Sequence, residues 1–119
     1  MEKNQKVAFV TGGAVGIGQA VCERLAKAGM AVVVADLDLA KASDTAAAIR
    51  AAGGAAEALQ IDIGKPESIS AAFAQVASRH GRCDVLVNNA GIAKTFPFLE
   101  FPLDNWLATM NINVTGTLL

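Results

Sequence analysis

The amino-acid sequence predicts an α/β protein, a parallel sheet doubly wound with helices on both faces, and three observations carry that prediction. Short apolar runs alternate with longer stretches whose apolar residues recur every three or four positions, the rhythm of strand and helix in turn. The runs lack the in-out alternation of a half-exposed sheet, as strands covered on both faces do. Between the first run and the first helical stretch stand Gly12, Gly16 and Gly18, where a strand hands over to a helix with its backbone open to a ligand.

Taken in order, Lys6 to Thr11 reads as a buried strand, and a helix follows from Gly16 to Ala28, with Ile17, Val21, Leu25 and Ala28 on its apolar stripe until Gly29 stops it. Ala31 to Ala35 is an uninterrupted apolar strand that ends in Asp36. Asp38 is placed to cap a second helix through Leu39, Ala42, Ala46 and Ile49, which finishes at Gly53 and Gly54. Ala55 to Ile61 is a third strand closing on Asp62, and Pro66 and Gly81 bracket a third helix with Ile69, Phe73 and Val76 inward. Val85 to Val87 has the short, wholly apolar character of a central strand and runs into Asn88, Asn89, Ala90 and Gly91. A loop rich in Phe and Pro from Ile92 to Leu103 precedes a fourth helix capped by Asp104. Its apolar residues fall on two sides, Trp106 and Met110 on one, Leu107, Val114 and Leu118 on the other. Four strands joined by right-handed crossovers predict the order 3-2-1-4, with the ends of the first and fourth strands at the switch point where ligands bind.

Composition narrows the function. The 119 residues are 53% hydrophobic, with a mean hydropathy of +0.40, enough apolar material for the core of one domain. Ten basic and eleven acidic residues give a net charge of −1 with no run of either sign, which argues against a nucleic-acid surface and against a membrane-binding face. No apolar stretch approaches membrane-spanning length and the start of the chain is not signal-like, so a cytoplasmic location is expected. Cys22, Cys83 and His80 form no metal-like grouping; no metal is expected, and all three read as structural, His80 at a helix C-terminus among free carbonyls.

The glycines carry the chemistry. Their spacing, Gly-x-x-x-Gly-x-Gly, is followed by Gln19 and Ala20 rather than by Lys-Ser/Thr, which sets aside a P-loop nucleotidase. Asp36 lies 18 residues beyond Gly18, near the roughly 20 at which a carboxylate receives the ribose hydroxyls of a dinucleotide. At this point the chain resembles the N-terminal, cofactor-binding half of the short-chain dehydrogenases/reductases, whose fold is Rossmann-like. Thr11 to Gly18 matches that family's Thr-Gly-x-x-x-Gly-x-Gly, and Asn88 to Gly91 its Asn-Asn-Ala-Gly. Asp62-Ile63 after the third strand and Asn113-Val114-Thr115-Gly116 in the fourth helix agree as well.

The resemblance implies a site. Gly12, Gly16, Ile17 and Gly18 would line the pyrophosphate, Asp36 and Leu37 the adenosine ribose, and Asp62 and Ile63 the adenine. Asn89, Ala90 and Gly91 would lie on the far side of the cofactor, with Asn88 tying the central strands together. Asn113 matches the family's active-site asparagine, which supports a water in a proton relay. The cofactor implied is NAD rather than NADP, because Asp36 repels a 2′-phosphate and no Lys or Arg interrupts Thr11 to Gly18. The reaction implied is hydride transfer between that cofactor and a small-molecule alcohol or ketone, in a homo-oligomer, a dimer or tetramer. One departure stands out: the family's catalytic serine and Tyr-x-x-x-Lys have no match here, the chain holding no tyrosine at all. The sequence therefore reads as a single NAD(P)-binding domain over 1–119, truncated at its C-terminus and inactive by itself. A non-catalytic nucleotide-binding or interaction module is the alternative. A methyltransferase using S-adenosylmethionine is a third reading, which the Asn-Asn-Ala-Gly segment disfavours.

Overall fold

The structure, a computed structural model, describes residues 5–89. Ala90, Gly91, the aromatic loop, the fourth helix and Asn113 lie outside the described residues. Within them the strands are β1 (Val7–Thr11), β2 (Ala31–Asp36), β3 (Ala55–Gln60) and β4 (Val85–Val87), and the helices are α1 (Gly16–Lys27), α2 (Leu39–Ala51) and α3 (Pro66–His80). The sheet is parallel with the order β3-β2-β1-β4, as the alternation of elements predicts.

Side chains of neighbouring strand residues point to opposite faces, and here both faces are covered. Val7, Phe9, Val33, Ala35 and Leu59 meet Ile69, Ala72 and Val76 of α3 on one side, where Phe9 stacks on Phe73 at 4.8 Å between ring centroids. Val10, Val32, Val34 and Ala56 meet α1 and α2 on the other, through Cys22, Ala42, Ala46 and Ile49. The small Ala42 and Ala46 let α2 lie close against β2. Three layers result, the sheet in the middle.

The helix stops act as the sequence indicates. Asp38 caps α2 by accepting from the Lys41 amide at 3.1 Å. Pro66 opens α3, and Gly81 ends it in the left-handed region at φ 68°, its amide on the Ala77 carbonyl. Two readings are corrected. Ile17 is 77% exposed, and the residues that α1 buries are Gly18 and Cys22. Ile17 instead lines an open, largely apolar groove with Ala20, Val21, Arg24 and Leu25. His80 does not serve free carbonyls: its Nε2 lies 2.9 Å from Glu57 Oε1, and Arg79 reaches the other oxygen at 3.4 Å, so the end of α3 is tied to β3.

Candidate dinucleotide site

The register of the sheet sets the ends of β1, β2 and β3 side by side. Thr11 pairs with Ala35, and Asp36 with Gln60, while Val10 pairs with Val87 of β4. Chain leaving these ends forms one rim, and the glycine loop crosses it.

Each glycine of the loop has its own reason. Gly12 and Gly16 have positive φ, 64° and 59°, where any Cβ is strained. Around Gly16 a Cβ would meet nothing within 4 Å, so its face of the loop is open. Gly18 is a packing glycine: a Cβ there would collide with the Gly12 carbonyl oxygen and lie 2.6 Å from Asn89 Nδ2. Gly13, which the sequence did not single out, is one too, since its Cβ would lie 2.9 Å from Cys22 Sγ and 3.3 Å from Val34 Cγ1.

The loop's backbone is held by the protein almost everywhere except where a ligand would bind. The Gly13 amide donates to the Ala35 carbonyl at 3.1 Å, and Asn89 Nδ2 donates to the Gly12 carbonyl at 3.0 Å. The Ala14 amide donates to Asp36 Oδ2 at 3.2 Å, and the Thr45 hydroxyl to the Ala14 carbonyl at 2.8 Å. Beyond these, Val15 offers no side-chain cap and α1 has no acidic residue in its first turn. The amide of Gln19 is the first to find a helical partner, the Val15 carbonyl at 3.2 Å. Among the described residues the amides of Gly16, Ile17 and Gly18 therefore point out of the helix without an acceptor, at the positive end of its dipole. An anion placed there would accept from all three.

Asp36 stands beside this anion position, half-buried, with the amides of Ala14 and Asp38 on its two oxygens at 3.2 and 3.1 Å. Those bonds fix the carboxylate plane, and each oxygen keeps lone-pair capacity for a hydroxyl. Leu37, next in the chain, is 63% exposed, while its carbonyl accepts from Gln60 Nε2 at 3.2 Å. Asp62 is oriented by the Gly64 amide, 2.9 Å from Oδ1, and its own amide donates to Ser68 Oγ at 2.8 Å. Ile63 leans against the core on the α3 side.

Asn89 has a structural task that the sequence reading gave to Asn88. Besides holding Gly12, its amide donates to Thr11 Oγ1 at 3.1 Å, and that hydroxyl donates to the Val87 carbonyl at 3.3 Å. Asn88 is exposed. Thr45 was missed, although a signal existed: it is the one hydroxyl on the apolar stripe of α2, between Ala42 and Ile49. Cys22 is structural as expected. Burial, then the nearby Glu23 charge, pushes its thiol up to about 12. A groove of about 590 Å³ opens at the opposite rim, lined by Glu23, Lys27, Ala48, Ile49, Gly53 and Gly54 among others. It lies away from the glycine loop and from Asp36.

A Rossmann-like sheet of order 3-2-1-4, with a glycine loop and a carboxylate meeting at its switch point, defines the class of a dinucleotide-binding protein fold. The comparisons with known proteins then name the family: the sequence profile of the short chain dehydrogenases matches residues 6–119, and the chain belongs to that family. It is 44% identical to an oxidoreductase of Bacillus subtilis, YuxG, over 98% of this chain and 17% of that protein. It is 40% identical to the D-threitol dehydrogenase of Mycolicibacterium smegmatis, over 96% of this chain and 44% of the relative. The crystal structure of a metagenomic short-chain oxidoreductase in complex with NADP superposes with a TM-score of 0.89 at 36% identity, covering 97% of this chain and 53% of that one. The chain thus spans less than half the length of these curated relatives.

Proposed function

We propose that this chain is the cofactor-binding half of an NAD-dependent oxidoreductase that acts on an alcohol or ketone. The observation that carries the reading is the Ala14–Asp36 hydrogen bond, which sets a carboxylate for ribose hydroxyls against a loop with three unpartnered amides. The Gly16, Ile17 and Gly18 amides bind the pyrophosphate, helped by the α1 dipole. Gly12 contributes by its turn, Leu37 beside the ribose, and Asp62 and Ile63 at the adenine. Asn89 acts by holding Gly12, and the family resemblance assigns Ala90 and Gly91 to the nicotinamide side. Asn113 holds the water of a proton relay. A nicotinamide dinucleotide held by these residues would supply the hydride chemistry of an alcohol–ketone interconversion.

A ketone oxygen that gains a hydride on its carbon needs an acid within hydrogen-bond reach. The chain has no tyrosine, and no serine after Ser78, so none of its residues matches the family's serine and tyrosine. By itself the chain binds without turnover, and the working enzyme is a cytoplasmic homo-oligomer, dimer or tetramer. Among the described residues no helix is long and apolar enough to cross a membrane.

The preference for NAD follows from charge. A 2′-phosphate would sit against Asp36, with Asp38 two residues on and no basic residue from Thr11 to Gly18 or from Asp36 to Ala40. At such short range in a half-exposed site, like charges repel by about 1.4 kcal/mol or more, which corresponds to about tenfold or more in affinity. The solved relative in complex with NADP makes this a point to measure. Calorimetric titration of the full-length protein should give NAD at least about tenfold tighter than NADP. Asp36→Ala should narrow the gap, chiefly by weakening NAD. Equal affinities in the unmodified protein would sink the NAD assignment.

A further inference from the structure

Ala14 is the one residue of the glycine loop whose amide and carbonyl are both held by side chains. Asp36 takes its N–H from the end of β2, and Thr45 supplies its carbonyl with a hydroxyl from α2, 31 residues along the chain. Thr45 is 5% exposed and Ala14 3%, so neither the hydroxyl nor the carbonyl has water as a ready substitute. The bond is short, at 2.8 Å. A peptide is a rigid plane. The Ala14 carbonyl shares its plane with the Val15 amide, so turning it toward another donor swings Val15, from which α1 departs, about the Ala14 Cα, whose own amide lies in the preceding plane on Asp36.

We infer that Thr45 is a positioning residue of the dinucleotide site. Its hydroxyl locks the Ala14 peptide, and through it both the aim of the Gly16 to Gly18 amides and the rotation of the Asp36 carboxylate. The inference rests on the nicotinamide-dinucleotide reading above. It gives α2, which lies behind the loop and makes no other hydrogen bond to it among the described residues, a direct part in setting affinity. Losing the hydroxyl leaves a buried carbonyl without its donor. The loop escapes that cost by rotating the peptide toward solvent, and the ligand then meets misaligned donors on the phosphate side and a freed carboxylate on the ribose side.

The test uses Thr45→Val, which keeps the shape, Thr45→Ala, which keeps the helix through high helical propensity, and Thr45→Ser, which keeps the hydroxyl. Each is made in the full-length protein, with NAD affinity measured by calorimetry and the unfolding midpoint measured without ligand. Val and Ala should weaken NAD about tenfold, or about 1.4 kcal/mol, while Ser stays within about twofold. In an Asp36→Ala background the Thr45→Val loss should shrink, because part of it travels through that carboxylate. A purely architectural Thr45 would lower the midpoint of Val and Ala but leave the affinity of the folded protein unchanged, and that result overturns the proposal. If Val does not fold, Ala decides by the same criterion. A Ser variant as weak as Ala overturns it as well. No NAD binding by the unmodified protein would instead bring down the dinucleotide reading, and this inference with it.

Discussion

The two rims of the sheet are built from the same materials and do opposite things. At the rim where strands begin, Gly29, Gly53 and Gly81 adopt positive φ to end helices, with open space around each. There the β1–β4 pair is closed by a reciprocal latch: the Val7 amide donates to Asp84 Oδ2 and the Asp84 amide to the Val7 carbonyl, both at 2.8 Å. Arg82 clamps the same carboxylate through Nε and Nη2 at 2.7 and 2.6 Å. At the rim where strands end, Gly12 and Gly16 adopt the same backbone to begin a helix, and its first amides are left without partners. A helix C-terminus closed by glycine satisfies itself, whereas an N-terminus without a cap residue is finished by a ligand. The location of the unpaired donors, rather than of the glycines or of the groove at the opposite rim, marks the site.

Substitutions on the two rims should separate stability from binding. The largest effect is expected for Gly18→Ala, whose Cβ collides with the Gly12 carbonyl and crowds Asn89. Overpacking of this kind costs about 1–3 kcal/mol, and because the collision displaces the loop itself, NAD affinity should fall by about 100-fold or more. Thermal unfolding and calorimetry should both register it; an unshifted midpoint would mean that the loop has room the structure denies.

Gly16→Val sharpens the comparison. Nothing crowds that position, so the penalty is the strain of a branched residue at φ 59°, about 1–2 kcal/mol, together with a side chain placed where the phosphate sits. Far-UV circular dichroism should change little while NAD binding is lost. Retained affinity would show that the pyrophosphate lies elsewhere.

Asp84→Asn is the opposite case, with stability altered and NAD affinity unchanged. The hydrogen bonds from Arg82, and then from the Val7 amide, hold the Asp84 carboxyl below its usual range. A depressed folded value means that the stabilisation is present above the unfolded value, near pH 4, and is lost as the pH falls through the folded one. The unfolding midpoint of the variant should therefore sit below that of the unmodified protein at neutral pH and converge with it in acid. A gap that persisted to the lowest pH would assign the effect to packing rather than charge.

The strands and helices were legible because burial leaves a pattern on each element by itself. Val7 to Thr11 and Ala31 to Ala35 are buried on both faces and read so. Gly12, Gly18 and Asp36 were legible because the resemblance and the spacing point to them jointly. What periodicity cannot express is which part of an apolar stripe finds a covering neighbour, and so Ile17 was assigned to a packed stripe although it lies 77% exposed. Nor can it say which atom a side chain reaches across the fold. Thr45 on Ala14, Asn89 on Gly12 and His80 on Glu57 are contacts between residues 31, 77 and 23 positions apart. They become visible only once the sheet order brings the elements together.

The claim that the unpaired amides of one rim are the anion site is tested most directly by following backbone amide resonances while NAD is titrated into the full-length protein. The account predicts the largest shifts at Gly16, Ile17 and Gly18, accompanied by Ala14 through Asp36, with Gly29, Gly53 and Gly81 at the other rim unmoved. Shifts concentrated around Gly53 and Gly54, with the Gly16 to Gly18 amides silent, would contradict it.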